Sequence, residues 1–234
     1  RALGIHSAMP MRLALQRCPQ LRVVAPNHRR YSALSEQVMQ RLQDLSPLVE
    51  TISIDEAFVD ISDIPEPPEQ TARQLQQKIS DELHLPCSLG VAANKLVAKI
   101  ATDVGKKASR GPDYPRAITI VAAGEEAEFL APLPASMLWG VGKKTEASLA
   151  ELGIHTIGDL ARWPEKDLVQ RFGQHGRDLA SHARGVDDRP VVTEHEVKSI
   201  SQEVTFAKDI KDDGQLEGTL KTLAAHVGRT LRRE

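Results

Sequence analysis

The residue pattern predicts an α+β fold followed by an all-helical block, and three observations carry that expectation. Strand-like alternation, through Ile52 and Ile54 and then Phe58, Val59 and Ile61, is concentrated in the first half of the chain. Apolar residues at helical spacing flank it, with Leu34, Val38, Met39, Leu42 and Leu45 before and Ala72, Leu75, Ile79 and Leu83 after. Between about residues 122 and 185 the strand pattern disappears, and helical segments are punctuated by Gly140, Gly142, Gly153, Gly173 and Gly176.

The elements follow in order. Met9, Leu13, Ala14 and Cys18 form a helical stripe after Pro10, and Pro19 stops it. Residues 21–25 read as a short strand ending at Pro26, and residues 31–45 as an amphipathic helix with Ser32 and Glu36 near its start. Two strand-like runs then flank Asp55-Glu56, which places the two acids at a hairpin. Pro65, Pro67 and Pro68 break the chain before the next helix. A strand over 85–91, a helix capped by Asn94 and carrying Leu96, Val97, Ile100 and Ala101, and a strand over 118–121 complete a sheet with helices on one face. Residues 125–185 read as helices in two helix-turn-helix units, the second over 156–172. Asp187-Asp188-Arg189-Pro190 marks a linker, followed by a strand over 197–206 and a helix over 215–233.

Composition excludes several classes. A net charge of -2 gives no global basic field, so any nucleic-acid site must be a local patch or use backbone amides. Cys18 and Cys87 are far apart and form neither a disulfide framework nor a zinc cluster, which points to a reduced, cytoplasmic setting. No apolar run approaches the roughly 20 residues that span a bilayer, so a membrane is not an expected partner. The chain opens on Arg1 without the apolar stretch of a signal peptide and ends at Glu234 inside a helical pattern, which leads us to expect a fragment of a longer protein.

Three motifs can carry chemistry. In a regular strand, adjacent side chains point to opposite faces, so Asp55 and Glu56 could share a metal only at a tight hairpin tip. Mg²⁺ takes one or two carboxylates and fills its octahedron with phosphate and water, which such a pair suits. From the dipeptide alone a solvated turn is the better-supported reading. The second motif runs from Asn94 to Lys107, with Lys95 and Lys99 on one helix face and Lys106-Lys107 at its end. These lysines are either a solvated helix end or a grip on a triphosphate. The third, Trp139-Gly140-Val141-Gly142-Lys143-Lys144, is a glycine turn opening a helix, where close backbone approach and free amides suit a DNA phosphate. The scattered histidines lack metal-ligand spacing, and Ser53 and Ser88 have no evident base. Trp139 and Trp163 read as packing residues, and no GxxxxGK[ST] loop is present.

Together these motifs resemble the Y-family (translesion) DNA polymerases, most similar to the DinB-like, DNA polymerase IV branch. The matching segments are Arg1 to Pro10, Ser53 to Ser62, Gly90 to Lys106, Trp139 to Gly142 and Lys198 to Glu203, in the family's order. The resemblance implies partial fingers over 1–27, a palm over 28–122, a helix-hairpin-helix thumb over 123–189, a linker over 190–197 and a partial little finger over 198–234. It implies that Asp55 bridges two Mg²⁺ ions and that Glu56 binds the ion at the primer end. Arg1 and Lys106 would hold the incoming dNTP, and Ser7 and Ala8 would sit over the nascent base pair. Gly140, Gly142, Lys143, Lys198 and Ser199 would touch primer-template DNA, and a sliding clamp is a further implied partner. The implied activity is low-fidelity, template-directed nucleotidyl transfer. The family's first catalytic aspartate and its sugar-selecting aromatic belong to a strand before Arg1, and its usual Lys-Pro is here Lys106-Lys107, followed by a Gly- and Pro-rich loop over 111–115. By itself the 234-residue polypeptide is therefore expected to be a weak or inactive polymerase. A catalytically inactive DNA-binding accessory protein is the alternative.

Overall fold

The computed structural model describes residues 3–109, 116–194 and 196–233. The chain divides into two compact units, Arg1–Val191 and Val192–Glu234.

In the first unit, α1 (Met11–Arg17) precedes α2 (His28–Leu45). Asn27 caps α2 by accepting from the Arg30 amide, so the helix begins three residues before the predicted start. Strands β1 (Val49–Thr51) and β2 (Ala57–Val59) pair antiparallel, with Val49 opposite Val59, Glu50 opposite Phe58 and Thr51 opposite Ala57. Helix α3 (Pro68–Leu83) starts on its proline, where the missing amide costs nothing. Then β3 (Leu89–Val91), α4 (Lys95–Ala108) and β4 (Ile118–Ile120) form a parallel crossover. Asn94 caps α4 as its sequence position predicts, accepting from the Val97 amide at 3.0 Å.

The expected single sheet is divided into two two-stranded ladders among the described residues. A cavity of about 580 Å³ separates them, walled by Ala57, Phe58 and Val59 from one ladder and Leu89, Gly90 and Val91 from the other. The strand predicted over 21–25 is not formed. Val23 and Val24 are exposed, and a lone extended segment without a neighbouring strand has no ladder to join. The strand predicted over 197–206 is absent for the same reason, with Val197, Val204 and Phe206 exposed.

The all-helical block is present as expected: α5 (Glu126–Leu130), a 3₁₀ turn over Ala135–Met137, α6 (Lys143–Ala150), α7 (Ile157–Arg162), α8 (Glu165–Phe172) and α9 (Gln174–Ala183). Thr156 and Asp159 close a capping box on α7. The core does not stop at this block. Leu96, Val97, Ile100 and Ala101 of α4 join Leu130, Leu138, Leu149, Ile157, Leu160, Leu168 and Leu179 in one buried cluster.

Helix α4 also lies directly on β3, and Gly90 is where they meet. A Cβ there would fall 2.0 Å from the Ala98 carbonyl oxygen and 2.6 Å from the Thr102 amide. Backbone cannot step aside as a flexible side chain can, so Gly90→Ala is expected to destabilise the first unit by at least about 1–3 kcal/mol, read as a lower denaturant midpoint.

In the second unit, α10 (Asp213–Leu231) is capped by Asp212, which accepts from the Gln215 amide at 2.6 Å. None of its residues is buried, although Leu216, Leu220, Leu223 and Val227 make one apolar stripe.

Candidate functional site

Asp55 and Glu56 lie in the five-residue connection between β1 and β2, outside either strand, so the alternation that would separate them does not apply. The Ile52 and Ser53 amides both donate to the Glu56 carbonyl, at 2.9 and 3.1 Å, and close the connection into a tight loop. The Ser53 hydroxyl donates to the Asp55 carboxylate at 2.7 Å, leaving that exposed group otherwise facing solvent. Glu56 is half-buried, and its carboxylate accepts from Lys99 Nζ at 2.9 Å.

Lys99 belongs to a row. Lys95, Lys99 and Lys106 are spaced i, i+4 and i+11 on α4 and therefore share one face. Lys95 Nζ meets Glu50 of β1 at 2.6 Å, Lys99 meets Glu56, and Lys106 lines the cavity together with Asp55, Glu56 and Lys99. A solvated helix end describes Lys107 but not Lys95, whose side chain is 10% exposed. A buried ammonium persists only with a partner, and Glu50 supplies it.

The glycine turn lies on a different element. Gly140 adopts φ +97°, a left-handed conformation in which a side chain would be strained. Gly142 stands at the N-cap of α6 without a side-chain cap, and Lys143 and Lys144 are exposed beside the helix's opening amides. Ser7 and Ala8 are exposed in the loop before α1, where Ala8 has φ +64°. Lys198 and Ser199 are exposed in the second unit. Arg1 and the loop over 111–115 lie outside the described residues. The structure thus brings Asp55, Glu56 and Lys106 to one cavity and places Gly140, Gly142 and Lys143 together on one turn.

Glu50 was not singled out from sequence, nor was the pair Asp187 and Arg189, which the sequence assigns to a linker, and Lys99 was singled out without Glu56 as its partner. Asp187 is 8% exposed, and its carboxylate binds the Arg189 guanidinium at 2.6 and 2.9 Å. Burial alone would push the Asp187 carboxyl up, but its hydrogen bonds with Arg189 and that guanidinium's charge hold it below the usual value.

Two adjacent carboxylates are a donor set that a hard cation accepts, with phosphate and water completing its shell. Among the described residues no group of three or more His, Cys, Asp or Glu side chains converges for a metal. No described helix is long and apolar enough to cross a membrane.

Comparison with known proteins decides the family. The impB/mucB/samB family matches residues 1–103, the thumb domain of DNA polymerase-iota matches 136–187, and the impB/mucB/samB C-terminal domain matches 197–234. DNA polymerase IV of Dehalococcoides mccartyi strain 195 is 40% identical over 236 aligned positions, covering 100% of this chain and 58% of the relative. The chain belongs to the Y-family DNA polymerase IV (DinB) family. DNA polymerase IV 1 of Bacillus subtilis strain 168 is 38% identical, covering 100% of this chain and 56% of the relative. For DNA polymerase IV of Brucella melitensis biotype 1 the values are 37%, 99% and 51%, so the chain spans about half the length of the curated relatives it matches. Among solved structures, a Y-family DNA polymerase chimera of Dbh and Dpo4 superposes with a TM-score of 0.82 at 25% identity, covering 98% of this chain and 65% of that one. An insertion ternary complex of Dbh DNA polymerase gives 0.72 at 28% identity, covering 82% and 55%. The mixed helix-and-sheet architecture with its helical block is therefore that of Y-family polymerases.

Proposed function

We propose that the full-length protein is a low-fidelity translesion DNA polymerase that carries out template-directed nucleotidyl transfer in the cytoplasm. One observation carries this reading: adjacent carboxylates at a hairpin connection, Asp55 and Glu56, and two lysines of α4, Lys99 and Lys106, line the same cavity. Relatives named DNA polymerase IV and the Dbh insertion ternary complex support it.

Asp55 and Glu56 would hold divalent metal, two Mg²⁺ ions in the proposed reaction, and the chemistry supplied on binding would be activation of the primer 3′-hydroxyl and neutralisation of charge on the phosphates. Lys106, together with Arg1, binds the dNTP triphosphate as point charges. Ser7 and Ala8 lie over the nascent pair, where small side chains leave room for an altered template base. Gly140, Gly142 and Lys143 take DNA phosphates on the thumb, with Lys198 and Ser199 adding contacts from the little finger. These roles follow the division into fingers, palm, thumb, linker and little finger that the resemblance implies. A sliding clamp is a further partner.

Primer extension with Mg²⁺ tests the reading. Templated incorporation of one dNTP per template base is the expected result. Primer-template binding without incorporation would instead assign a purely DNA-gripping role. For the thumb contact, Lys143→Ala is expected to weaken primer-template binding and to lower the slope of log K against log salt by about one. An unchanged slope removes Lys143 from the phosphate contacts.

A further inference from the structure

Glu50 and Phe58 sit directly opposite each other in the β1–β2 ladder, so their side chains share a face. Lys95 Nζ reaches both, 2.6 Å from the Glu50 carboxylate and 5.6 Å from the centre of the Phe58 ring. The Trp139 ring lies 6.1 Å from Phe58 at an interplanar angle of 41°. The Arg189 guanidinium covers Trp139 at 4.9 Å. Arg189 is gripped by Asp187, whose carboxylate also accepts from the Leu96 amide at 3.1 Å. Leu96 follows Lys95, so the series returns to where it began. The Asn94 side chain, donating to the Gly185 carbonyl at 2.7 Å, fastens the same joint.

Each link is a recognised attraction: a buried ion pair, a cation on an aromatic face, an aromatic pair, a second cation on an aromatic face and a charge-assisted hydrogen bond. A closed series is stiffer than its separate links, because displacing one member strains two neighbours. What it joins matters more. Phe58 is two residues from Glu56, and Trp139 immediately precedes Gly140.

We propose that Trp139 is a positioning residue: the Lys95–Phe58–Trp139–Arg189–Asp187 ring fixes the glycine turn at 140–142 relative to the hairpin carrying Asp55 and Glu56. Its consequence for turnover rests on the polymerase reading above, whereas the ring itself does not. A phosphate-gripping turn held at a set distance from the metal-binding carboxylates delivers the primer end in register. Reaction rates fall about 100-fold for an ångström of misplacement, even when binding is retained.

The experiment compares Trp139→Leu, Trp139→Phe and Arg189→Gln in the full-length protein, with folding checked by circular dichroism. The expected result for Trp139→Leu is a single-turnover incorporation rate lowered about 10- to 100-fold. Primer-template affinity and its salt slope should stay at wild type, and Trp139→Phe should restore most of the rate. Arg189→Gln removes only the outer, half-exposed cation and should lower the rate in the same direction, which keeps the test alive if Trp139→Leu does not fold. A rate within about threefold of wild type for both Trp139→Leu and Arg189→Gln overturns the proposal. So does affinity falling in step with rate, which would make Trp139 a DNA contact, or failure of Trp139→Phe to rescue.

A separate readout distinguishes this from failure of the polymerase reading. Trp163 is the only other tryptophan in residues 1–234, and its indole nitrogen is buried without a hydrogen-bond partner, so Trp163→Phe loses no bond and, with any tryptophan outside residues 1–234 also replaced by phenylalanine, leaves Trp139 as sole reporter. In that background Arg189→Gln, and Lys95→Met on the far side of Phe58, should each change Trp139 emission, whether or not the protein extends primers. Emission unchanged by both substitutions overturns the ring.

Discussion

Replacing Asp55 by asparagine is expected to lower nucleotide incorporation by the full-length protein by at least about 100-fold, the scale of losing a group that stabilises charge in a transition state. The substitution is unusually clean. Asp55 is exposed, and its carboxylate accepts from the Ser53 hydroxyl, a hydrogen bond that an asparagine oxygen accepts equally well. Only the negative charge is removed, so melting should be unchanged within the roughly 0.5 kcal/mol typical of surface substitutions. Mn²⁺ titration by calorimetry supplies a second reading, with weaker binding expected for Asp55→Asn. Glu56→Gln is the less clean companion, because it also loosens Lys99, which would be left half-buried beside an uncharged partner. Incorporation by Asp55→Asn at the wild-type rate would remove Asp55 from the metal ligands, whatever the fate of the polymerase reading.

The parts of the fold that were legible in the sequence are those decided by neighbours along the chain. Asn94 caps α4 because the capped amide is three residues away. Asp55-Glu56 falls in a connection because the alternation on either side is local. The glycine turn before Lys143 needs only the backbone freedom of Gly140. What was not legible depends on partners far along the chain. Lys95 and Lys99 looked like a solvated pair until Glu50 and Glu56, 45 and 43 residues away, were brought against them. Asp187 sits in a polar stretch that reads as a linker, yet it binds an amide 91 residues earlier. The strands predicted over 21–25 and 197–206 have the right alternation, but a strand is a relation between two segments, and neither has a partner among the described residues. Trp139 was correctly read as a packing residue. Its role in the ring could not be read, because the ring draws on four separate segments of chain, at Phe58, Lys95, Trp139 and Asp187–Arg189.

The continuity of the core sets up the second large effect. Ile100 is 1% exposed in the middle of α4, and Leu160 is 0% exposed in α7, yet both belong to one cluster. If the α/β part and the helical block were separately stable, they would melt separately, and a cavity in one would leave the other untouched. A shared core predicts otherwise. Ile100→Ala and Leu160→Ala should each cost about 2–5 kcal/mol, the range for deleting a fully buried aliphatic side chain. For a unit of this size each kcal/mol lowers Tm by about 2–4 °C, so shifts of about 4–20 °C are expected. Both substitutions should move the same calorimetric transition. Hydrogen exchange provides the regional assignment, since amides of β3 and of α7 should lose protection together in either variant. Two resolved transitions, with Ile100→Ala moving one and Leu160→Ala the other, would show that α4 merely abuts the helical block. In that case the ring around Trp139 would have to hold the two parts together without the support of a common core.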